Sequence, residues 1–280
     1  MNKLTGKPSF LVKDVFNACV SSFQKDSIKI HYNSIRSNVI LESQRLEMLF
    51  ASKNPHVIIS NLTLGTIPVT KDDMIALYDE KLVKSVKGRP YYDKIMVLAS
   101  NGKCPYCGVR NVKTLDHFMA KSIYPIFSVT PINLLPCCSD CNKEKKSIKY
   151  TSYIDTPINP YFDDYNNDEW LFADFTISNN RPIFNYFTNR PLTWSIADFQ
   201  KINNHCNVLG LYNLYQIEAN SEFVGILHKL KKYKHNGDPI KLKSYFEDMH
   251  LSYKDVDKNS YQTAMYRCLM TNYTKIYDIL

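Results

Sequence analysis

The chain has 280 residues, 44% of them hydrophobic, and carries 35 Lys or Arg against 27 Asp or Glu, a formal charge of +8 with pI near 8.9. That length supports a sizeable core in one domain or two, and the composition excludes a disordered or low-complexity chain. Lys3, Lys7, Lys13 and Asp14 interrupt the apolar residues of the N-terminus, so neither a signal peptide nor a membrane span is expected and a cytoplasmic location is.

In chain order, Asp14 to Phe23 and Ser37 to Ser52 read as helices, followed by a loop containing Pro55, Gly65 and Pro68. Thr70-Lys71-Asp72-Asp73 opens a better helix, with Met74, Leu77, Tyr78, Leu82 and Val83 at helical spacing and a stop near Gly88 and Pro90. Tyr91 to Ala99 reads as another helix, ending at Asn101-Gly102. Past residue 150, Asn159-Pro160-Tyr161-Phe162-Asp163 reads as a turn built round its proline. Trp170 to Thr176 and Pro182 to Phe187, separated by Ser178-Asn179-Asn180-Arg181, predict a β-hairpin whose aromatics belong to the core. From Thr193 the pattern is helical, clearest at Ile196 to Ile202, Val208 to Leu230 and Tyr261 to Ile279; the basic cluster Lys229 to His235 complements a helix C-terminus. No Gly-rich phosphate loop is seen, so the chain is not expected to hydrolyse ATP itself.

The stretch between residues 104 and 149 carries the chemistry. Cys104-Pro-Tyr-Cys107 and Cys138-Ser-Asp-Cys141 are two knuckles with a two-residue gap each, the spacing that lets one tight turn aim two sulfurs at one tetrahedral zinc ion. Disulfides are the rival reading, but Cys19, Cys206 and Cys268 are scattered singles and suit a reducing compartment. Cys137 could compete for the metal, yet only Cys138 repeats the gap of the first knuckle. Between the knuckles lies Asp116-His117, at the end of a β-prone run from Val112 to Leu115, with Asn133 and Asn142 further on. Ser139 reads as the cap of a helix running to Lys146. Residues 101–150 hold eight Lys or Arg against three acids, where a phosphate backbone would need them.

Taken together, Cys104, Cys107, Asp116, His117, Asn133, Cys138, Cys141 and Asn142 resemble the HNH nucleases, in the subset with a four-cysteine zinc site. The resemblance covers about fifty residues and implies a ββα-metal fold. It implies His117 as the general base, Asn133 as the residue that orients its imidazole, and Asp116 and Asn142 as oxygen ligands of a catalytic Mg2+ or Mn2+. Two positions depart from the family pattern: the last is Asn142 rather than His, and Ala120 stands where a proline is common. Lys121, Lys145 and Lys146 are the candidate phosphate contacts. The expected molecule is α+β and mostly helical, divided into a helical region 1–100, a zinc-clipped HNH centre 101–165, and a hairpin with helices over 166–280. The expected activity is phosphodiester hydrolysis in DNA, leaving a 5′-phosphate and a 3′-hydroxyl. Stand-alone chains of this kind resemble bacterial restriction or anti-phage effectors that work beside a separate ATPase. A non-catalytic zinc-stabilised nucleic-acid-binding module, an RNA-cleaving toxin-like nuclease and a protein-interaction scaffold are the other readings.

Overall fold

The structure, a computed structural model, describes residues 4–59 and 69–280, and the expected loop positions Gly65 and Pro68 lie outside them. The protein is α+β and mostly helical, with two small antiparallel sheets, and divides into two compact units, residues 2–163 and 164–280. The N-terminal helices and the cysteine-bearing centre therefore share one unit, because the helices supply the core under the strands. No helix among the described residues is long and apolar enough to cross a membrane.

In the first unit α1 (Val12–Ser21), α2 (Asp26–Asn33) and α3 (Arg36–Ala51) precede α4 (Lys71–Ala76). α2 was not anticipated: its apolar positions are few, and Tyr32 is its buried anchor. α4 starts as the sequence predicts. The Thr70 hydroxyl accepts the Asp73 N–H at 3.1 Å while the Asp73 carboxylate accepts the Thr70 N–H at 2.8 Å, a reciprocal cap. The helix then widens into a π-helical turn, Leu77–Leu82, where the Val83 N–H reaches the Tyr78 carbonyl at 3.0 Å. α5 (Arg89–Met96) follows with Pro90 in its first turn and lies against both strands of the first sheet.

That sheet is β1 (Thr114–His117) paired with β2 (Leu134–Cys137), with Asp116 opposite Leu135 and His117 opposite Leu134. α6 (Ser139–Lys145) leaves β2 directly. Its cap is Cys138, not Ser139: the Cys138 sulfur accepts the Cys141 N–H at 3.4 Å, since the chain must turn one residue earlier to bring both sulfurs round. Phe50 of α3 packs edge-on against Phe118, with ring centroids 5.1 Å apart, and at the same distance against Phe162. The Tyr161 hydroxyl donates to the Leu134 carbonyl at 2.9 Å, so the Asn159–Asp163 turn straps down the start of β2.

The second unit is built on β3 (Leu171–Ser178) and β4 (Arg181–Thr188). Asn179 and Asn180 join them with φ of 51° and 56°, the paired left-handed conformation that matches the strand twist. Pro182, Phe184 and Tyr186 alternate inward along β4. Helices α7 (Ile196–Val208), α8 (Leu211–His235), α9 (Pro239–Val256), α10 (Tyr261–Thr271) and α11 (Tyr273–Ile279) complete it, α8 on β4 and α10 on β3 and α9. Gly210 (φ 62°) separates α7 from α8, and Asn272 breaks the expected last helix in two. α9 escaped the sequence reading because charged residues interrupt its narrow buried stripe of Leu242, Phe246 and His250.

Gly88 is needed for space rather than for φ. A Cβ there would lie 2.1 Å from the Lys81 carbonyl oxygen and 2.8 Å from the Leu82 Cα, both backbone atoms of the π-turn. Gly88→Ala is expected to cost about 1 to 3 kcal/mol, as overpacking does, and to lower the unfolding temperature of the first unit. A variant melting with the wild type in scanning calorimetry would contradict this close approach.

Candidate functional site

The site grows out of two chain reversals that face each other. In the first knuckle the Cys104 N–H bonds to the Arg110 carbonyl and the Gly108 N–H to the Cys104 carbonyl, each at 2.8 Å. Gly108 holds φ at 71°, the left-handed conformation such a turn demands. The second knuckle straddles the start of α6, and an Arg110–Asp140 ion pair at 2.8 Å joins the two. Cys104, Cys107, Cys138 and Cys141 are all buried, with their sulfur atoms within 4.8 Å of one another. A tetrahedral ion with Zn–S bonds of about 2.3 Å spaces its sulfurs by about 3.8 Å, so the donor set fits zinc in chemistry, number and spacing. Four buried sulfurs so close could not all be thiolates without a cation between them. Cys137 stays out of this group. Its thiol lies 4.0 Å from the Cys104 sulfur and donates to the Cys138 carbonyl at 3.2 Å.

Beyond the knuckles opens a cavity of about 450 Å3 lined by residues that include Tyr78, Asp79, Asp116, His117, Lys121 and Asn142. Asp116 and His117 reach it because they are the last residues of β1; Asn142 reaches it from the first turn of α6. The His117 Nε2 lies 2.9 Å from the Ser128 carbonyl oxygen. A carbonyl can only accept, so Nε2 carries the proton and, in the neutral ring, Nδ1 keeps the free lone pair. Burial drives the His117 pKa down to about 3, the Ser128 contact opposing this and the Lys121 and Lys145 charges assisting. The imidazole is therefore neutral at every working pH.

Asp116 is buried, receiving the Tyr106 hydroxyl at 3.0 Å and lying 3.3 Å from the Lys145 ammonium. Burial pushes its carboxyl pKa up, against the pull of Lys145 and Tyr106. A carboxylate has about four lone-pair positions, so these two partners leave capacity on the cavity side. Asn133, expected to orient the imidazole, bonds to the backbone of the loop that follows β1. Its side-chain oxygen accepts the Met119 N–H at 2.7 Å, and its NH2 donates to the Met119 and Phe127 carbonyls at 3.0 and 3.3 Å. It thus clamps both ends of the loop that leads to Ser128, whose carbonyl meets the His117 ring.

The three candidate lysines separate. Lys121 and Lys146 line the cavity, Lys121 with Asp79 at 2.6 Å. Lys145 does not: it is 2% exposed, and its ammonium donates to the His117 and Phe118 carbonyls at 2.8 and 3.1 Å. Burial opposes its charge, but the neighbouring Asp116 carboxylate holds its pKa above the ordinary value. It braces the end of β1 instead of meeting a phosphate, because the short α6 turns that side of the helix under the strand. The sequence reading missed Tyr78, Asp79, Tyr106 and Lys143. Tyr106 sits inside the first knuckle, and nothing in the pattern of residues 70–83 separated its cavity-facing positions from its core.

The surplus charge is equally divided in no sense. Residues 1–163 carry 22 Lys or Arg against 14 Asp or Glu, and residues 164–280 carry 13 of each, so the entire +8 belongs to the first unit.

No protein-family model matches the chain, and no solved structure does. The chain is 26% identical over 284 residues to protein ea31 of Escherichia phage lambda, covering 94% of this chain and 95% of that protein. It is also 35% identical over 107 residues to the Septu protein PtuB of Bacillus thuringiensis, covering 36% of each.

Metal analysis of the purified chain should find one zinc per molecule. Cys138→Ser should lose it and Cys137→Ser should retain it, with the Cys138→Ser protein unfolding at much lower temperature, since structural zinc in finger peptides contributes roughly 10 to 16 kcal/mol at neutral pH. Equal loss in both variants would place Cys137 among the ligands. His117 gives a second test. Its folded pKa near 3 lies below the unfolded value near 6.5, so its stabilising contribution is whole above pH 6.5 and is lost as pH falls towards 3. Between pH 7 and pH 5 the wild type should lose about 2 kcal/mol more stability than His117→Gln, measured by urea unfolding at the two pH values.

Proposed function

We propose that this chain is a metal-dependent HNH endonuclease that hydrolyses phosphodiester bonds in DNA. The observation that carries the reading is the His117 imidazole: it faces the same cavity as Asp116 and Asn142, with its Nε2 proton spent on the Ser128 carbonyl and Nδ1 left as acceptor. In this role Nδ1 takes the proton of the attacking water. Asp116 and Asn142 would hold a Mg2+ or Mn2+ through oxygen, hard donors suited to a hard ion. That ion would acidify the water and offset charge on the phosphate and leaving oxygen, which a base as weak as a buried imidazole needs. Lys121 and Lys146 contact phosphate oxygens, while Lys145 and Asn133 keep the end of β1 and the Ser128 loop in place. Cys104, Cys107, Cys138 and Cys141 would hold a structural zinc with no part in the chemistry.

The concentration of net positive charge in the first unit supports a polyanionic substrate. Similarity to the Septu protein PtuB over about a third of that protein supports a role in anti-phage defence; a separate ATPase as working partner and a place in the bacterial cytoplasm are part of the same proposal.

Purified protein should nick supercoiled plasmid in Mg2+ or Mn2+ and not in EDTA. His117→Ala should lower the rate by 100-fold or more while retaining zinc, and Asn142→Ala should raise the cation concentration needed for half-maximal rate. Parallel assays on RNA distinguish the toxin-like reading. No cleavage by either protein with zinc loading confirmed, or a rate that His117→Ala leaves unchanged and that therefore does not arise at this site, would favour a binding module without catalysis.

A further inference from the structure

The π-turn Leu77–Leu82 belongs to none of the ββα elements, yet two successive residues of it, Tyr78 and Asp79, line the cavity. The Tyr78 ring stands edge to face with the His117 imidazole, ring centroids 4.4 Å apart and planes at 68°. Its hydroxyl donates to the Leu115 carbonyl at 3.4 Å, on the strand that carries Asp116 and His117. The Lys121 ammonium lies 4.6 Å over the same ring and is gripped by Asp79. One residue therefore touches the imidazole, the strand beneath it and the cation beside it.

We propose that Tyr78 is a positioning residue of the site, which fixes the rotation of the His117 ring and holds the Lys121 ammonium at the cavity edge. A single hydrogen bond from Nε2 to Ser128 is a pivot: it sets one point of the imidazole and leaves the ring free to swing about it. An aromatic edge against the ring closes that freedom, and such pairs contribute about 0.5 to 1.5 kcal/mol beyond their burial. The ring face also offers Lys121 a cation–π contact, and of its three N–H donors Asp79 takes one, which leaves donors for a phosphate oxygen. A wide turn is the means: in a regular α-helix the carbonyl of Tyr78 would be paired one residue earlier, and π-bulges recur at functional sites. Gly88 permits it, since any side chain there would strike the backbone of the turn.

This inference rests on the nuclease reading for its consequence in rate, but not for its geometry. The experiment compares zinc-loaded wild type, Tyr78→Phe and Tyr78→Leu by 15N–1H spectra of the His117 ring and by plasmid nicking. Wild type and Tyr78→Phe should each show one tautomer, protonated at Nε2, with rates within threefold of each other. Tyr78→Leu should show mixed or exchange-broadened ring signals and a kcat at least tenfold lower, with zinc content unchanged. Should Tyr78→Leu lose zinc, Tyr78→Met, which is unbranched and fills more of the volume, takes its place in the comparison. A single unchanged tautomer together with an unchanged kcat in the leucine or methionine variant overturns the proposal. If wild type cleaves no nucleic acid the nuclease reading fails, and the ring signals alone still decide whether Tyr78 positions His117.

Discussion

Four sulfur atoms brought within 4.8 Å of one another are the constraint on which the first unit depends. They tie the segment before β1 to the beginning of α6, and between those ends runs a chain whose regular structure is two short strands and two single 3-10 turns. Without the clip, β1 and β2 would be a four-residue ladder of the kind that is marginal in water. With it, the last residues of β1 and the first turn of α6 are brought to the lining of one cavity. The buried polar residues then take up the detail: Lys145 joins α6 to the end of β1, and Asn133 joins the loop to β2. Each of these is fully buried and multiply bonded, which makes the arrangement rigid rather than merely compact.

Much of this was legible in the sequence because the signals are local. A two-residue gap between cysteines, a threonine three residues ahead of an aspartate, and an Asn-Asn pair between aromatic runs each specify a short geometry, and the knuckles, the start of α4 and the hairpin turn follow them. The rest depends on contacts distant in sequence. Nothing near Lys145 says that its ammonium will meet carbonyls 27 and 28 residues earlier, so a lysine on a basic helix beside the motif reads as a phosphate ligand. Asn133 could be placed near His117 by motif, but not the manner of its action, because its amide is consumed by the backbone of a loop whose path the sequence does not reveal. α9 was lost for a different reason: three buried side chains in eighteen residues leave too faint a periodic signal.

The site also shows how a short motif borrows from outside itself. Tyr78 and Asp79 come from a helix that begins with an ordinary cap and widens one turn later, and the widening depends on a glycine six residues beyond the turn. A motif of eight residues thus needs a helical scaffold to complete the walls of its cavity, which is why the N-terminal helices and the cysteine centre fold as one compact unit.

The distribution of charge gives the two units different sensitivities to their surroundings. A unit with 22 bases and 14 acids attracts counterions and releases them when a polyanion docks, so dissolved electrolyte weakens its grip steeply. A unit with 13 of each has no net excess of counterions to release. Ionic strength would therefore act as a rheostat on whatever the first unit holds, and leave associations made by the second nearly indifferent to it.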